Sequence, residues 1–330
     1  MNLKKTAYAL GSAVGVVGGA VLADRLLRRK AGELKRPLPG SGETYRWRGM
    51  DTYYTDIGNP EHPTLVLVHG VNAAASSNEF VAIAEELAED YRVLAPDLPG
   101  FGRSDRPPID YTNEHYEDYL AAFLRDVAGE DATVLASSLS GAYAVAAASE
   151  DDVDVSRLVL VSPTASTMPG GEKPLAKTVL RSPVLGTLLF DAVASERSLE
   201  YFSDDHSYYD ADAYSTDRKQ YDWQTTHQSG ARYAPASFVA GYLDSDLDLG
   251  DAIADLDVPT TLVWGREADI TPLADGRELA ERADAKLVVI DYAALLPHDE
   301  HPESFLDGLA DDLSLDRDAD DVRVAVEREN

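Results

Sequence analysis

The most informative stretch of the sequence is Ala-Ser-Ser-Leu-Ser-Gly-Ala at residues 136–142, with Ser138 near its centre. A buried-strand pattern precedes this stretch and an alanine-rich helical pattern follows it. The small residues Ala136 and Ser140, two places on either side of Ser138, leave room for a sharp strand-to-helix turn. A serine there lies at a helix N-terminus, where free N–H groups and the helix dipole favour developing negative charge. The spacing predicts a nucleophile at Ser138, although such turns also serve as packing devices alone.

Two further segments follow predicted strands. Residues 65–71 read Leu-Val-Leu-Val-His-Gly-Val, and residues 96–105 read Pro-Asp-Leu-Pro-Gly-Phe-Gly-Arg-Ser-Asp. In this order, and together with the turn at Ser138, these segments resemble the α/β-hydrolase family. The resemblance extends from about Tyr45 to Leu313.

The resemblance implies a role for several residues. Ser138 corresponds to the nucleophile, and the backbone N–H groups of Val71 and Leu139 correspond to the oxyanion hole. Family members that are dehalogenases or epoxide hydrolases carry aspartate at the turn. Serine therefore implies hydrolysis of an ester, thioester, amide or carbon–carbon bond, with no cofactor and no metal. Three residues correspond to positions that hold the loops together: His69, Asp97 and Arg103.

The acid and the base of the expected site depart from the family pattern. The family acid usually lies three residues after the glycine that ends the seventh strand, where this chain has Ala268 and then Asp269. The family histidine corresponds to Leu295, whereas His298 corresponds to a second histidine that is usually not catalytic. Asp269 and His298 are therefore the best available orienting group and base.

Two interpretations of this departure remain open. In the first, Asp269 and His298 form a displaced relay that still reaches Ser138, and the protein is a hydrolase with a displaced or weakened triad. In the second, the relay is lost and the serine hydroxyl is a poor nucleophile. The fold would then bind a small ligand or a partner without catalysis.

The elements that must position these residues alternate between strand and helix. This alternation predicts an α/β fold, the α/β-hydrolase fold, with a mostly parallel sheet and helices on both faces. From about residue 164 to residue 249 the alternation stops, and a stretch too long for a loop predicts an inserted helical cap. The core is then expected at residues 45–163 and 250–313, and an acidic tail, frayed or helical, at residues 314–330.

The predicted elements can be given individually. Strands are predicted at Met50–Thr55, Thr64–His69, Arg92–Ala95, Thr133–Ser137, Leu158–Ser162, Thr260–Trp264 and Lys286–Ile290. Helices are predicted at Tyr116–Val127, Gly141–Ser149, Leu273–Ala283 and Glu303–Leu313. Residues 76–79, Ser-Ser-Asn-Glu, have the spacing of a capping box and predict a further helix that begins near Phe80.

The N-terminus differs from the rest of the chain. Residues 1–30 are predicted to form a membrane anchor, because the 17 residues from Ala7 to Ala23 are uncharged and mostly apolar. Two lysines precede this run and four basic residues follow it, which favours a cytoplasmic location for the globular part. A cleaved signal peptide and a peripheral segment are the alternatives, and residues 31–44 are predicted to form a linker.

The composition restricts the possible functions. The 330 residues include 59 Asp and Glu against 29 Lys and Arg, a formal net charge of −30 at pH 7. Such a surface repels nucleic acid, so nucleic acid is not an expected partner. The expected partners are the small acyl compound that the resemblance implies and the membrane, through the N-terminal segment. Adaptation to concentrated salt, which screens the repulsion between acidic residues, is the simplest cause of the charge. The absence of cysteine excludes disulfides, thiolate catalysis and cysteine-ligated metals. Substrate identity and oligomeric state stay open.

Overall fold

A nine-stranded sheet forms the centre of the molecule. The computed structural model describes residues 19, 21–168, 170–315, 317 and 324–327. The strands are β1 (Ser41–Trp47), β2 (Met50–Ile57), β3 (Thr64–Val68), β4 (Arg92–Pro96), β5 (Ala132–Ser137), β6 (Val155–Val161), β7 (Thr260–Gly265), β8 (Lys286–Ile290) and β9 (Val324–Glu327). Their order across the sheet is β1-β2-β4-β3-β5-β6-β7-β8-β9.

The sheet is mostly parallel, as the sequence predicted. Six neighbouring strands pair in parallel, in the order β4, β3, β5, β6, β7 and β8. The remaining strands, β1, β2 and β9, pair antiparallel with their neighbours. The central strands are apolar and buried on both faces, as residues 65–68 of β3 show. Because parallel strands end at the same edge, the loops after β3, β5, β7 and β8 lie together there.

Helices lie on both faces of this sheet and in the segments outside it. They are α1 (residues 21–31), α2 (Ala84–Asp90), α3 (Asn113–Phe123), α4 (Ser140–Ala148), α5 (Pro174–Arg181), α6 (Leu185–Val193), α7 (Glu196–Phe202), α8 (Thr216–Thr226), α9 (Tyr233–Val239), α10 (Leu249–Ala254), α11 (Leu273–Ala283), α12 (Pro297–Glu300) and α13 (Pro302–Leu313). The bounds of α11 are those predicted from the sequence, because the apolar spacing within the helix and the residues that flank it indicate the same range.

The cap is the helical insertion between β6 and β7, and among the described residues it contains α5 to α9 and no strand. It is attached to the core through Arg218 of α8, whose side chain is nearly buried. Its guanidinium donates to the backbone oxygen of Asn78 at 2.9 Å and lies 3.3 Å from the Asp299 carboxylate. Tyr208 donates its hydroxyl to the same carboxylate at 2.5 Å. The cap is therefore fixed above the loops that follow β3 and β8.

The N-terminal part of the chain contacts both cap and core. The predicted anchor lies largely outside the described residues, and no helix within them is long and apolar enough to cross a membrane. In the predicted linker, the backbone oxygens of Lys35 and Pro37 accept hydrogen bonds from Tyr221 of the cap and Asn78 of the core. The last residues of that linker form the start of β1, which the sequence did not predict.

The C-terminal tail also differs from its prediction. Where a frayed or helical tail was expected, residues 324–327 form β9 and pair antiparallel with β8. The prediction of a frayed or helical tail is therefore wrong for these residues. The alternating apolar residues of Val-Ala-Val-Glu are consistent with an edge strand once a neighbouring strand is available.

Candidate active site

Ser138 occupies the sharp turn between β5 and α4. Its φ is +54°, in the left-handed region, which costs a non-glycine residue about 1–3 kcal/mol. Its N–H donates to the backbone oxygen of Val161 at 2.8 Å. Its carbonyl oxygen accepts from the N–H groups of Gly141 at 2.9 Å and Thr164 at 3.3 Å. These bonds hold the strained residue in place, and its half-buried side chain is presented at the edge of the sheet.

The residues around the turn must be small because there is no room for larger ones. Ala136 and Ser140 are fully buried. A Cβ atom on Gly141 would lie 2.9 Å from the Cβ of Pro163. The Ser140 hydroxyl donates to the backbone oxygen of His69 at 2.7 Å, so this serine is occupied with a structural bond. The geometry therefore makes Ser138, and not Ser140, the serine of the turn.

The loop after β3 runs against the side chain of Ser138. A Cβ placed on Gly70 would lie 3.4 Å from the Cβ of Ser138. The N–H of Gly70 is bound to the carboxylate of Glu79 at 3.0 Å. In contrast, the N–H groups of Val71 and Leu139 donate no hydrogen bond within the described part of the chain. Two N–H groups without an acceptor, next to a serine at a strained turn, can bind the oxygen of a tetrahedral intermediate.

His69 and Asp97 hold the loops around this site together. The His69 Nδ1 lies 2.7 Å from the backbone oxygen of Gly70, and its Nε2 accepts from the N–H of Leu98 at 3.1 Å. The Asp97 carboxylate accepts from the N–H and the hydroxyl of Ser77, both at 2.7 Å. It also accepts from the N–H of Arg103 at 2.7 Å. All of these bonds are internal, so the residues act as supports for the site.

Asp269 and His298 contact partners other than Ser138. The Asp269 side chain is 62% exposed, and its Oδ2 lies 3.7 Å from Nδ1 of His206 in the cap. His298 is fully buried, and its Nε2 lies 3.4 Å from Oε1 of Glu79. Among the residues that the structure describes, no hydrogen bond or ion pair joins Asp269 to His298 or either of them to Ser138. The predicted relay is therefore not assembled in this arrangement.

Glu79 is a buried carboxylate that links His298 to the loop after β3. Burial raises the pKa of this carboxyl, but the hydrogen bonding and charge of His298, together with the hydroxyl of Ser137, outweigh burial and lower the pKa to about 2. The Glu79 carboxylate also accepts from the N–H of Gly70, so it connects His298 to the residue that precedes Val71. An ionised Glu79 thus fixes the loop that carries one of the two free N–H groups.

The chain resembles known proteins over most of its length. A family model described as "Alpha/beta hydrolase family" matches residues 65–307, most of the chain. The chain belongs to the alpha/beta hydrolase family. Its homologues are named as esterases and hydrolases, and the chain is a hydrolase of this family.

Individual relatives of this hydrolase cover most of its length. A pimeloyl-[acyl-carrier protein] methyl ester esterase from Aeromonas salmonicida is 29% identical over 254 residues, 74% of this chain and 93% of that protein. A thermophilic esterase from Thermogutta terrifontis superposes with a TM-score of 0.66 at 21% identity, covering 83% of this chain and 98% of that one. A membrane phospholipase A described as a bacterial virulence factor superposes with a TM-score of 0.66 at 20% sequence identity. The match covers 94% of this chain and 98% of that one.

Apolar side chains stand where the family pattern has its acid and histidine. Ala268 is buried, and Leu295 is half-buried, in the loops that follow β7 and β8 of this hydrolase. Neither side chain can accept or donate a proton.

Glu79 is the residue of the site that sequence reasoning missed. The spacing of Ser76 and Glu79 predicted a capping box at the start of a helix. A short 3-10 helix does begin there, at Ser77–Phe80 with Ser76 as its N-cap residue, but the Ser76 hydroxyl makes no cap bond, and the α-helix α2 begins only at Ala84. The capping-box prediction is wrong because the Glu79 carboxylate turns inward to Gly70 and His298. The available signal was the apolar surroundings of Glu79, beside Phe80 and Ile83, which predict a buried rather than a capping carboxylate.

The loops after β7 and β8 brace each other closely. The Glu267 carboxylate accepts from the N–H of Ala293 at 3.0 Å, and the Glu300 carboxylate accepts from the N–H of Ala294 at 2.7 Å. Burial raises the pKa of Glu300, while its backbone hydrogen bonds act in the opposite direction. A Cβ on Gly265 would lie only 1.9 Å from the backbone oxygen of Ala294. The residue that ends β7 therefore has to be glycine.

Gly265→Ala is expected to lower the free energy of unfolding by about 1–3 kcal/mol, since overpacking against backbone has this cost. Chemical unfolding followed by circular dichroism in concentrated salt measures it. Gly276→Ala serves as a comparison, because its added Cβ would meet the Trp264 ring at 2.6 Å, a side chain rather than backbone. An unchanged midpoint for Gly265→Ala would contradict the described packing of these two loops.

The two cavities found beside the cap do not include Ser138. One lies between α1 and α6, and the other, with a volume of about 460 Å³, is lined by Lys30, α7 and α8. Within the described ranges, no group of three or more acidic or histidine side chains is placed to hold a metal ion.

Proposed function

We propose that this hydrolase acts through Ser138 on an ester, a thioester or a related acyl compound. The supporting observation is the strained turn at Ser138 beside the N–H groups of Val71 and Leu139. When the Ser138 Oγ attacks the acyl carbon, its proton passes to a base and the carbonyl oxygen becomes an oxyanion between these two groups. Loss of the alcohol or thiol leaves an acyl-serine, which water hydrolyses.

The assignment of base and orienting group to His298 and Asp269 stays part of this proposal. Both would have to leave their present partners, Glu79 and His206, before they could serve Ser138. A base must come within about 2.6–3.2 Å of the hydroxyl in the productive complex. Without such a movement, the reaction is expected to be slow and to depend on the oxyanion hole and on substrate binding.

Asp269→Asn tests whether a relay forms during reaction. In an intact triad, the corresponding change lowers the rate by about 10⁴-fold. Because the proposal makes Asp269 the orienting group of a displaced relay, we expect a clear loss in the rate of serine labelling by a fluorophosphonate probe, and a change of less than about tenfold would mean that Asp269 stays with His206. His206→Ala is the matched control, since it removes only the observed partner. A loss near 10⁴-fold for Asp269→Asn alone would show that the relay assembles after all.

A second candidate function is ligand binding without catalysis. The observation that favours it is the Ser138 hydroxyl, which makes no hydrogen bond to any base within the described residues. Such a protein would bind an acyl compound saturably and would lose no function in Ser138→Ala. Titration of wild type and this variant with a non-hydrolysable acyl ligand separates the two candidates.

The direct test of the proposed hydrolase is covalent labelling. A fluorophosphonate probe should modify the full chain in concentrated salt between about pH 6 and 9, where a serine base is active. Mass spectrometry of the digested protein should place the adduct on the peptide that contains Ser138. Absence of any adduct over this range would favour the ligand-binding candidate.

The N-terminal tether is also a proposal, and it depends on sequence alone. The uncharged run from Ala7 to Ala23, followed by four basic residues, supports a membrane-anchored hydrolase whose globular part is cytoplasmic. The acidic surface supports a protein adapted to concentrated salt. Recovery of the full chain in the soluble fraction of lysed cells would contradict the tether.

A further inference from the structure

The cap exposes an unusual amount of apolar side chain on one helix. Four residues of α6 are exposed and share one helical face, because they are three or four residues apart. These four residues are Leu185, Leu188, Leu189 and Val193. Thr187, on the opposite side of α6, is buried. Contiguous exposed apolar surface of this kind marks an interaction site more often than a solvated face.

The helix α1 lies beside α6 and also exposes apolar residues. Asp24 and Arg28 of α1 line the same small cavity as Thr187 and Phe190 of α6, so the two helices are neighbours. Val21, Leu22 and Leu26 of α1 are exposed, and Leu22 and Leu26 lie on the side of the helix away from this cavity. We call the four exposed residues of α6 and these three of α1 the apolar face.

The attachment of α1 to the cap fixes its position relative to α6. The Lys30 ammonium lies 3.0 Å from the Glu196 carboxylate of α7 and 4.4 Å from the centre of the Trp223 ring of α8. The side-chain amide of Gln228 donates to the backbone oxygen of Gly32 at 3.2 Å. Because several bonds hold α1, the apolar face belongs to the folded cap.

The charge next to the apolar face is opposite to that of the whole chain. Residues 1–36 contain eight basic and two acidic residues, although the formal net charge of the protein is −30. Arg25 and Arg29 of α1 are exposed beside the apolar residues of the same helix. Apolar residues bordered by exposed arginines are the pattern of a helix that lies at the interface of a membrane with anionic lipids.

We propose that the apolar face docks on the surface of a lipid bilayer, with Arg25 and Arg29 at its anionic headgroups. The sequence around the start of α1 supports a bilayer as the partner, because the uncharged run from Ala7 to Ala23 includes Val21 and Leu22 of the apolar face. A second copy bound through the same face would bring Arg25 and Arg29 of the two copies together, and these like charges repel each other. The docking does not depend on the proposed hydrolase activity, since an inactive chain would dock in the same way.

The chain is well suited to a direct test because it contains no cysteine. Leu188→Cys in the full chain gives one attachment site for an environment-sensitive fluorophore. The labelled protein is mixed with vesicles of phosphatidylglycerol that contain a lipid with a nitroxide on its acyl chain. Val81→Cys is the matched control: Val81 is apolar, 44% exposed against 38% for Leu188, and lies on the core.

The expected result is a blue shift and quenching of the fluorophore at Leu188 and no response at Val81. Leu185→Ser with Leu189→Ser should reduce this response, and Arg25→Glu with Arg29→Glu should weaken it on phosphatidylglycerol. An aqueous spectrum at Leu188 with vesicles present would overturn the proposal. A blue shift without lipid that grows with protein concentration would also overturn it, since the face would then bind a second copy. Labelling by a fluorophosphonate, measured separately, reports on the proposed activity and not on docking.

Discussion

Ser138→Ala is expected to abolish labelling by a fluorophosphonate probe and to lower acyl-ester hydrolysis by about 10²-fold or more. Removal of the nucleophile from a complete triad costs about 10⁶-fold in kcat. The expected loss is smaller here because no base contacts the Ser138 hydroxyl within the described residues, so the wild-type rate is itself low. The residual activity of the variant would come from binding and from the N–H groups of Val71 and Leu139.

Two other serines make this experiment specific. Ser140→Ala removes the hydroxyl of the neighbouring small position, which donates to the backbone oxygen of His69 and is fully buried. Ser149→Ala removes a hydroxyl at the far end of α4, which donates to the backbone oxygen of Val145. Both variants should still be labelled, Ser149→Ala at the wild-type rate. Labelling that disappears in Ser140→Ala but persists in Ser138→Ala would show that the nucleophile is misassigned.

The sequence could predict the turn at Ser138 because short-range rules determine it. An apolar strand, small residues at positions 136 and 140 and an alanine-rich helix follow one another in the chain, and each restricts the backbone locally. The fold was predictable for a related reason, since alternating strands and helices leave few arrangements of a parallel sheet. The oxyanion hole was predicted from the resemblance. The N–H groups of Val71 and Leu139 have no acceptor within the described residues, and their role stays a prediction.

The partners of Asp269 and His298 could not be predicted, because they depend on contacts between distant parts of the chain. His206 comes from the cap, more than sixty positions before Asp269, and no local pattern brings the two together. Glu79 and His298 are separated by most of the chain and meet only when α12 packs against the turn after β3. For Glu79, the local pattern of a capping box predicted a bond to the start of the following helix. In the folded protein, the carboxylate instead accepts from the N–H of Gly70.

The buried pair of Glu79 and His298 is expected to have the largest effect on stability. His298→Leu leaves the Glu79 carboxylate buried without its partner, and removal of one member of a buried pair costs about 3–5 kcal/mol. Glu79→Gln with His298→Leu removes both charges, so the double variant should be more stable than His298→Leu alone. Chemical unfolding of wild type, Glu79→Gln, His298→Leu and the double variant in concentrated salt, followed by circular dichroism, measures the coupling between the two residues. Additive losses would show that the two side chains do not interact.

The same pair predicts how stability depends on pH. The folded protein holds the pKa of Glu79 at about 2, below the ordinary value of 4.5. The carboxylate therefore stabilises the fold above about pH 4.5, and this contribution of about 3 kcal/mol is lost as the pH falls from there towards 2. In Glu79→Gln this part of the pH dependence should disappear. Unfolding curves for both proteins at several acidic pH values measure it, and parallel pH profiles would contradict an ionised, buried Glu79.

Glu79 also connects stability to the proposed chemistry, through its bond to the N–H of Gly70. Glu79→Leu breaks this bond, so the loop with Val71 is expected to lose its fixed position beside Ser138, and fluorophosphonate labelling should slow by about tenfold or more. Glu79→Gln keeps an oxygen that can accept from Gly70 and should retain most of the labelling rate, even though the charge is gone. Measured at neutral pH, where both variants remain folded by circular dichroism, the two rates separate positioning of the oxyanion loop from simple loss of stability. Equal rates for the two variants would mean that the loop holds Val71 in place without Glu79.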